Sequence, residues 1–425
     1  MRKTLLAALF ALAINAYSQD SLRVLQYNLL NFGNYSGFCN NSNNNHLVKE
    51  EYLKTIISYS NPDIFTVNEI SKITAYHDRI LNNVLKEAID DKRYGRAPSV
   101  NIAGSNIVNM LYYDTLKLSL KSSKVLQSFV RDVNLYTLYY KKIPISGDTV
   151  FINCIVAHLK AGSGVSDEID RAEMAGNIIS RLESTEVQGN YLLMGDFNLY
   201  TAEEEAYQIL TRGSLTFPFY DPINTEGNWN NNPQFAYVHT QSVTTSGNGC
   251  QSSGGMDDRF DFILSSPQIL NGLEGLRFKP GSYKAIGQDG RHFNQSINSG
   301  TNTSVPGSVL DAVYRNSDHL PIQITLEVIA EMPGSINELS FNPFDNIRVA
   351  NDPEGITTVS LNSLTNHEME VSVYNLAGQK VFEKLQYIAS GYSVVKIPFN
   401  NLNPGIYLLR LSSNKGYSTT LKLVK

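Results

Sequence analysis

The stretch Tyr191–Thr201, YLLMGDFNLYT, contains the residues whose types and spacing best suit chemistry. Its apolar beginning has the length and composition of a buried strand, and Gly195 lets the backbone turn before a carboxylate and an amide. Because Asp196 and Asn198 are two positions apart, an extended backbone would point both side chains the same way. Together they suit a metal-bound phosphate, although Gly, Asp and Asn are also common in ordinary turns.

Six further polar residues stand at or just beyond the end of an apolar run in the same way. They are Asn28, Glu69, His158, Asp261, Asp318 and His319. The strand ends of two packed sheets can meet at one rim, so we predict that these side chains join Asp196 and Asn198 in a single site. Taken one at a time, the asparagines also read as turn or capping residues, and His158 as a satisfied histidine at a sheet edge.

The string Ser317-Asp318-His319 is more informative than the single residues, because it precedes Leu-Pro and an apolar strand. A buried Asp beside an imidazole fixes the tautomer of the histidine and stabilises its protonated form. Asp261, in the string RFD, is the predicted partner of His319. We therefore expect an Asp–His pair within the site.

Scattered carboxylates of this kind predict a divalent cation. A buried charge is costly unless it is paired or bound to a metal. Mg²⁺ needs one or two carboxylates, keeps several waters and accepts phosphate oxygens as further ligands. The sequence has no Cys/His spacing typical of a zinc cage. We predict a Mg²⁺ site, with Mn²⁺ or Ca²⁺ as alternative ions.

The first 18 residues have the features of a signal peptide. Arg2 and Lys3 precede an apolar run, and small residues lead up to Ser18, after which we predict cleavage. The apolar run is too short to cross a bilayer, and no later segment is long enough. We expect an exported chain without stable membrane insertion.

The net charge disfavours a protein that holds nucleic acid through its overall electric field. It is −5 over 425 residues, and the negative excess lies before residue 341. An enzyme that clusters carboxylates around a cation is compatible with this balance. Basic residues that could still form a local cationic face are Lys160, Arg171, Lys279, Lys284 and Arg291.

The three cysteines leave one without a partner in an exported protein. Cys39 and Cys250 lie in polar loops, whereas Cys154 lies within an apolar run. We predict a disulfide between Cys39 and Cys250 and a buried free thiol at Cys154. Three unpaired thiols are the alternative.

The first 330 residues alternate strand and helix patterns. Leu22–Leu30 and Asp63–Ile70 read as strands, and residues 136–140 and 150–159 as a hairpin that ends near His158. Asp167–Leu182 reads as an amphipathic helix that leads into the strand with Asp196. We also expect residues 106–113 and 116–120 to form a strand pair. This mixture predicts an α/β sandwich of two packed sheets rather than a doubly wound parallel sheet.

The pattern changes after a linker over residues 331–340. Residues 341–425 show short alternating strands with turns every eight to twelve residues and no helix. This arrangement is typical of a small β-sandwich. We predict a separate all-β domain there.

Six fragments taken together resemble the endonuclease/exonuclease/phosphatase superfamily, whose type member is pancreatic deoxyribonuclease. They are YNLLNF, VNEI, AHLKAG, GDFN, DDRFDFIL and SDHLP, in this order within residues 21–328. The resemblance implies a four-layer α/β sandwich, two mixed sheets flanked by helices, over a catalytic domain of residues 19–330. It also implies metal-dependent hydrolysis of a phosphoester.

The resemblance also assigns roles to the residues of the site. The metal-site residues would be Asn28, Glu69 and Asp318, and the catalytic residues His158, Asp196, Asn198, Asp261 and His319. Asp196 and Asn198 would orient the attacking water and the phosphate, and His319, held by Asp261, would polarise the phosphate or take a proton. Secreted nucleases of this group often pair the first histidine with a carboxylate, but residues 101–113 offer only Asn106 and Asn109. His158 is therefore expected to be less basic.

The C-terminal region resembles a second family. VSVYNLAGQKV, NLNPGIYLLRL and the basic end KLVK look like the sorting domain of the type IX secretion pathway, over residues 341–425. The resemblance implies export across the outer membrane by that machinery, so that the protein is secreted or held at the cell surface. A substrate-binding β-sandwich is the alternative.

Three functions fit these observations. The first is an extracellular nuclease that hydrolyses DNA or RNA. The second is a phosphatase or a sphingomyelinase-like lipid phosphodiesterase, with Trp229, Phe235 and His292 in long loops around a head group. The third, a non-catalytic surface module, requires a broken catalytic set, and every member of the set is present.

Overall fold

The computed structural model describes residues 20–142, 149–329, 344–351, 356–363, 367–389, 391–398, 402–403, 405–413 and 418–424. The predicted signal peptide and linker lie outside the described residues. Contacts divide the chain into two compact units, Met1–Ala330 and Glu331–Lys425.

The first unit contains both strands and helices among its described residues. The strands are β1 (Ser21–Phe32), β2 (Ile64–Ser71), β3 (Tyr94–Arg96), β4 (Ile107–Asp114), β5 (Leu118–Gln127), β6 (Val133–Tyr140), β7 (Phe151–His158), β8 (Tyr191–Asp196), β9 (Asp261–Ser265), β10 (Leu276–Phe278), β11 (Lys284–Ala285) and β12 (Ile322–Val328). The helices are α1 (His46–Ser60), α2 (Thr74–Arg79), α3 (Lys86–Ala88), α4 (Val165–Thr185), α5 (Glu205–Arg212), α6 (Pro267–Asn271) and α7 (Gly307–Asn316). A π-helical segment, Ile80–Leu85, joins α2 to α3, and Pro233–Val238 is a 3₁₀-helix.

The strands of the first unit form two mixed sheets. The first has the order β10-β12-β1-β2-β4-β3, with β11 also paired to β12, and the second has the order β5-β6-β7-β8-β9. Pairing is parallel between β1 and β2 and between β7 and β8, and antiparallel elsewhere. The parallel strands β1 and β2 therefore end at the same edge of the first sheet, and β7 and β8 end at the same edge of the second sheet. The predicted site residues of these strands stand at these ends.

The alternation of side chains explains the layers. Val24 of β1 and Met194 of β8 lie in a core between the two sheets, whereas their neighbours Leu25 and Leu193 face outward. The outward face of the first sheet is covered by α1, the π-helical segment and α7, and that of the second by α4 and α5. Because both faces are covered, these strands are almost continuously apolar. The predicted four-layer α/β sandwich is confirmed.

One local prediction is wrong. Residues 106–113 and 116–120 do not form a strand pair, since β4 pairs with β2 and β3 in the first sheet and β5 pairs with β6 in the second. The chain crosses from one sheet to the other at Asp114–Lys117, where Lys117 N donates to Asp114 O at 3.2 Å. The two segments resemble a hairpin in sequence, but they are strands of different sheets.

The second unit is built from antiparallel strands. They are β13 (Phe344–Asn351), β14 (Ile356–Ser363), β15 (His367–Asn375), β16 (Lys380–Ile388), β17 (Gly391–Pro398), β18 (Ile406–Ser413) and β19 (Ser418–Val424). One sheet has the order β13-β14-β17 and the other β16-β15-β18-β19. Buried residues of both sheets, such as Leu361 and Val395 from one and Val371 and Leu409 from the other, share one core. The predicted all-β region is confirmed.

Candidate active site

The predicted site residues lie at corresponding ends of the central strands. His158 of β7 is in register with Asp196 of β8, and Asp196 is in register with Asp261 of β9. In the other sheet, Asn28 of β1 is in register with Asn68, the residue before Glu69. The two groups meet across the interface between the sheets, because Asn28 Nδ2 donates to Asp196 Oδ2 at 2.9 Å.

Two carboxylates and a histidine converge in this rim. Asn28 Nδ2 also donates to Glu69 Oε1 at 3.2 Å, so one amide bridges both carboxylates. His158 Nε2 lies 3.8 Å from Glu69 Oε1 and 3.6 Å from Asp196 Oδ2. Potential ligand atoms of Glu69, His158 and Asp196 all fall within 4.8 Å of one another. Two like charges held this close by a single amide fit a divalent cation, which would offset their repulsion.

Glu69 is held in an uncommon backbone conformation. Its φ is +56°, and its Oε2 accepts a hydrogen bond from Asn31 N at 3.0 Å. Leu30 and Asn31 also have positive φ values, and the buried Lys49 donates to Leu30 O at 2.9 Å. Non-glycine residues with positive φ cost energy and are concentrated at functional sites. Lys49 and Asn44, which donates to Leu30 O at 2.8 Å, thus fix the loop that positions Glu69.

Asp196 is fixed through both its backbone and its side chain. Its N–H donates to Asn68 Oδ1 at 3.0 Å, and its Oδ1 accepts from Asn198 N at 3.0 Å. A Cβ at Gly195 would lie 1.8 Å from Ala157 O, so only glycine permits this approach of β8 to β7. Burial raises the pKa of Asp196 to about 7, although His319 lowers it.

His319 and Asp261 form the expected pair. His319 Nδ1 lies 2.7 Å from Asp261 Oδ2, and both residues are buried. Burial lowers the pKa of His319, but the neighbouring carboxylates of Asp261 and Asp196 outweigh it and raise that pKa well above its ordinary value. Gln241 lies at 2.7 Å from the other ring nitrogen, Nε2, which is 3.7 Å from Asp196 Oδ2. Asp261 thus orients the ring so that Nε2 faces the rest of the site.

His158 lies in a different electrostatic environment. Burial, together with the positive charges of Arg131 and His319, lowers its pKa well below the ordinary value. Asn109, a residue considered as its partner, donates to Val156 O at 3.1 Å and to Asp132 O at 2.9 Å, and makes no hydrogen bond with His158. His158 is therefore a neutral group suited to hydrogen bonding.

Three predicted residues are placed less simply. The side-chain oxygen of Asn28 accepts from Leu30 N at 2.9 Å, so its nitrogen, not its oxygen, faces the carboxylates. Asn198 has φ +51° and donates from Nδ2 to Leu159 O at 3.2 Å, beside His158. Asp318 lies outside the Glu69–His158–Asp196 group: its Oδ2 accepts from Ser252 N at 2.8 Å, and its buried Oδ1 has no partner among the described residues.

A polar network beneath the site was missed by the sequence analysis. Asn68 accepts from Gln26 Nε2 at 2.6 Å and donates to Asn109 Oδ1 at 2.8 Å, and Asn109 donates to Asn134 Oδ1 at 3.2 Å. These four residues are buried and lie on strands of both sheets. These hydrogen bonds connect the two sheets, although the buried Nδ2 of Asn134 has no partner among the described residues. Asn68 could have been suspected from its position beside Glu69.

Of the basic residues suggested for a cationic face, Lys279, Lys284 and Arg291 are exposed, whereas Arg171 is not. Arg171 is fully buried and paired with Glu204 at 2.6 Å, and Lys160 pairs with Asp167. Arg171 therefore cannot meet a substrate, whereas the side chain of Lys160 stays partly exposed. Of the residues suggested for a lipid head group, Trp229 is fully buried in the core behind the second sheet, and His292 is bonded to Asp289 and Ser299.

The predicted disulfide between Cys39 and Cys250 is confirmed, and Cys154 is a buried free thiol.

Replacing Cys39 and Cys250 with Ser should lower the free energy of unfolding by about 2–4 kcal/mol, because the bridge closes a loop of 211 residues. Urea denaturation would measure this. Cys154→Ala leaves the bridge intact and is the control for a change of cysteine. An unchanged urea midpoint in the double variant would show that the bridge does not contribute to stability.

The raised pKa of Asp196 predicts a pH-dependent affinity for Mg²⁺. Below about pH 7 a proton competes with the ion, so affinity should fall about tenfold for each pH unit, and it should level off above pH 7. Because the folded-state pKa lies above the ordinary value of 3.8, the metal-free protein should also lose stability as pH rises between these values. Calorimetric titration from pH 5.5 to 8.5 tests the affinity, with Asp196→Asn as a variant whose profile should be flat. A flat profile for the unmodified protein would contradict the prediction.

Comparisons with known proteins give a sequence match for the C-terminal region and similar solved structures at low identity. Residues 351–425 match the family described as the secretion system C-terminal sorting domain. No curated protein sequence matches the chain. No described helix has both the length and the apolar character needed to cross a membrane.

The similar solved structures share little sequence with this chain. An endonuclease/exonuclease/phosphatase family protein from Bacteroides thetaiotaomicron is 16% identical, with a TM-score of 0.43, over 74% of this chain and 100% of that chain. A protein of the same description from Bacteroides vulgatus is 15% identical, with a TM-score of 0.45, over 73% and 100%. TDP2 from D. rerio, complexed with a single-strand DNA product, is 12% identical, with a TM-score of 0.44, over 72% and 99%. By sequence, residues 351–425 thus match the secretion system C-terminal sorting domain, which is the resemblance that their motifs implied.

Proposed function

We propose that residues 19–330 form a secreted, Mg²⁺-dependent phosphodiesterase that hydrolyses nucleic acid. The observation that supports this most directly is the meeting of Glu69, His158 and Asp196 with the His319–Asp261 pair at one rim. Phosphodiester hydrolysis depends on positioning a water and on stabilising negative charge, and this set offers groups for both tasks. The sorting domain supports export, and the type IX pathway is the proposed route.

The side chains have separate proposed roles. Glu69 and Asp196, bridged by Asn28, would hold the ion, which when bound supplies Lewis-acid stabilisation of the phosphate. Asp196, whose carboxylate is held by Asn28 Nδ2 and Asn198 N, would orient an attacking water beside the ion. His319, whose pKa is raised by the carboxylates of Asp261 and Asp196, would in its protonated form stabilise negative charge on the phosphate.

The remaining polar groups bind the substrate or tune the charge. Neutral His158 hydrogen-bonds the phosphate, and Asn198 holds the backbone beside it through Leu159 O. Asp318 adds negative potential near His319 and stays a proposed metal-site residue. A nucleic acid fits better than a lipid, because Trp229 and His292, proposed for a head-group pocket, are occupied in internal packing.

A substrate panel tests the proposal. The purified protein would be incubated with plasmid DNA, RNA, sphingomyelin and phosphoinositides, each with Mg²⁺ or with EDTA. We expect cleavage of a nucleic acid with Mg²⁺ and none with EDTA. Cleavage of a lipid without cleavage of nucleic acid would replace the nuclease by the lipid phosphodiesterase, and activity that survives EDTA would contradict the metal requirement.

A further inference from the structure

The turn between β5 and β6 lies at the same rim as the candidate site, although no motif marks it. β6 runs antiparallel to β7, and Asn134 at the start of β6 is in register with Val156, two residues before His158. The turn, residues 128–132, therefore stands beside His158. It presents Phe129, which is 37% exposed, and Arg131.

Hydrogen bonds hold the turn on both sides, and one of its residues has a strained backbone. Gln127 holds both of its ends, accepting from Phe129 N at 2.8 Å and donating to Arg131 O at 2.8 Å. Asp132 accepts from Ile102 N and Ala103 N at 2.6 and 2.9 Å, which ties the turn to the neighbouring loop. Between these anchors Val130 has φ +62°, an outlier for a β-branched residue. Strain of this kind persists where the surroundings enforce it, and it is concentrated at functional sites.

Arg131 is a cation that the protein has not neutralised. Its side chain donates from Nη1 to Leu159 O at 2.9 Å, and among the described residues it makes no ion pair. Asn198 Nδ2 donates to the same carbonyl oxygen, so the guanidinium and the Asn198 amide are neighbours. The charge of Arg131 acts on Glu69 and Asp196, but neither carboxylate is close enough to bond it. The other N–H groups of the guanidinium are thus left for a ligand.

We propose that the β5–β6 turn is a substrate-binding element, in which Arg131 donates two hydrogen bonds to the scissile phosphate and Phe129 packs on the planar group next to it. The planar fork of an arginine matches two phosphate oxygens, which a lysine cannot reproduce. An aromatic ring beside the phosphate stacks on a nucleobase, whatever its identity. This inference rests on the proposed function and names the residues that hold its substrate.

Arg131→Gln and Arg131→Lys test the phosphate contact, with Arg277→Gln as the matched control. Arg277 is a surface arginine on β10, paired with Glu327. Calorimetry would measure the Kd of inorganic phosphate in the presence of Mg²⁺. We expect Arg131→Gln to raise this Kd about 10- to 100-fold, the range for a charge-assisted pair of hydrogen bonds, and Arg131→Lys to recover part of the loss. The Kd of Mg²⁺ and the control variant should be unchanged.

The kinetic test separates this inference from the function on which it rests. On a single-stranded oligonucleotide, Arg131→Gln should raise KM, and Phe129→Ala should raise KM while leaving the phosphate Kd at the wild-type value. A phosphate Kd within twofold of wild type for a folded Arg131→Gln would overturn the inference, even in an active enzyme. A wild-type protein that binds phosphate through Arg131 but cleaves no nucleic acid would instead refute the proposed function. If circular dichroism shows Arg131→Gln to be unfolded, the Arg131→Lys value alone decides, and a wild-type Kd there overturns the two-bond contact.

Discussion

Glu69→Gln is expected to weaken Mg²⁺ binding by more than about 100-fold and to reduce phosphodiesterase activity accordingly. Loss of a group that only supports a metal ligand already costs 10- to 100-fold, and Glu69 supplies one of the two carboxylates of the group. The amide keeps an oxygen that can accept the hydrogen bond from Asn31 N, so the loop should stay in place. Calorimetric titration with Mg²⁺ and the initial rate on plasmid DNA would measure the two effects.

The same variant has an opposite effect on the metal-free protein. Removing one of two carboxylates bridged by Asn28 relieves their repulsion, so the Tm without metal should rise or stay the same, and the increase in Tm on adding Mg²⁺ should disappear. Glu168→Gln, an exposed carboxylate on α4, is the control and should retain the full Mg²⁺ response. Tight Mg²⁺ binding by Glu69→Gln would remove Glu69 from the metal site.

The sequence was most informative where a polar residue ends an apolar strand. Glu69, His158 and Asp196 were each suspected for this reason, and the parallel pairs β1–β2 and β7–β8 bring such ends together. The position of a strand end along the chain is a local property, so it can be predicted without knowing which strands are neighbours. The Asp–His pair was predictable for a similar reason, since each partner stands in a distinctive string.

The supporting residues were not predictable in this way. Asn68, Gln241, Lys49 and Arg131 act through partners far along the chain, such as Asn68 Oδ1 on Asp196 N or Gln241 beside His319. Nothing in the local pattern of Gln241, within a long polar loop, distinguishes it from its neighbours. Their roles follow from the packing of the two sheets, which a single sequence does not reveal.

Three elements that were not predicted from the sequence, α5, α7 and β16, have weak apolar patterns for related physical reasons. α5 and α7 are short amphipathic helices within regions dominated by polar and turn-forming residues, and β16 is mostly exposed on both faces. A period of apolar residues is visible only when one face is buried over several turns or strand repeats. The strongly patterned α4, with buried positions such as Ala175 and Ile178, was found for that reason.

The two histidines of the site lie in opposite electrostatic environments, which shift their pKa values in opposite directions. Burial and Arg131 keep His158 neutral, whereas Asp261 and Asp196 outweigh burial and keep His319 protonated. Groups whose environments push their pKa values apart can act as acid and base at the same pH. The separation depends on Asp261, which has no other partner for its buried Oδ2 than His319 among the described residues.

His319→Ala is therefore expected to lower kcat by about 10²- to 10⁴-fold, the range for loss of a positioned acid or base. The Kd of Mg²⁺ should change little, because His319 lies outside the group formed by Glu69, His158 and Asp196. Single-turnover rates on a labelled oligonucleotide at saturating Mg²⁺ would measure the effect. His46→Gln, which replaces a histidine at the start of α1, is the control and should retain the wild-type rate.

A double-variant experiment with Asp261, the partner of His319, tests the same role further. If Asp261 acts only by orienting and charging the imidazole, Asp261→Asn should lower kcat in the wild-type background but have no further effect in His319→Ala. Additive losses in the double variant would mean that Asp261 has a separate role, for which its unpartnered Oδ1 is the available group. A wild-type rate for a folded His319→Ala would remove the histidine from the chemistry and leave the carboxylates, with the bound ion, as the whole catalytic apparatus.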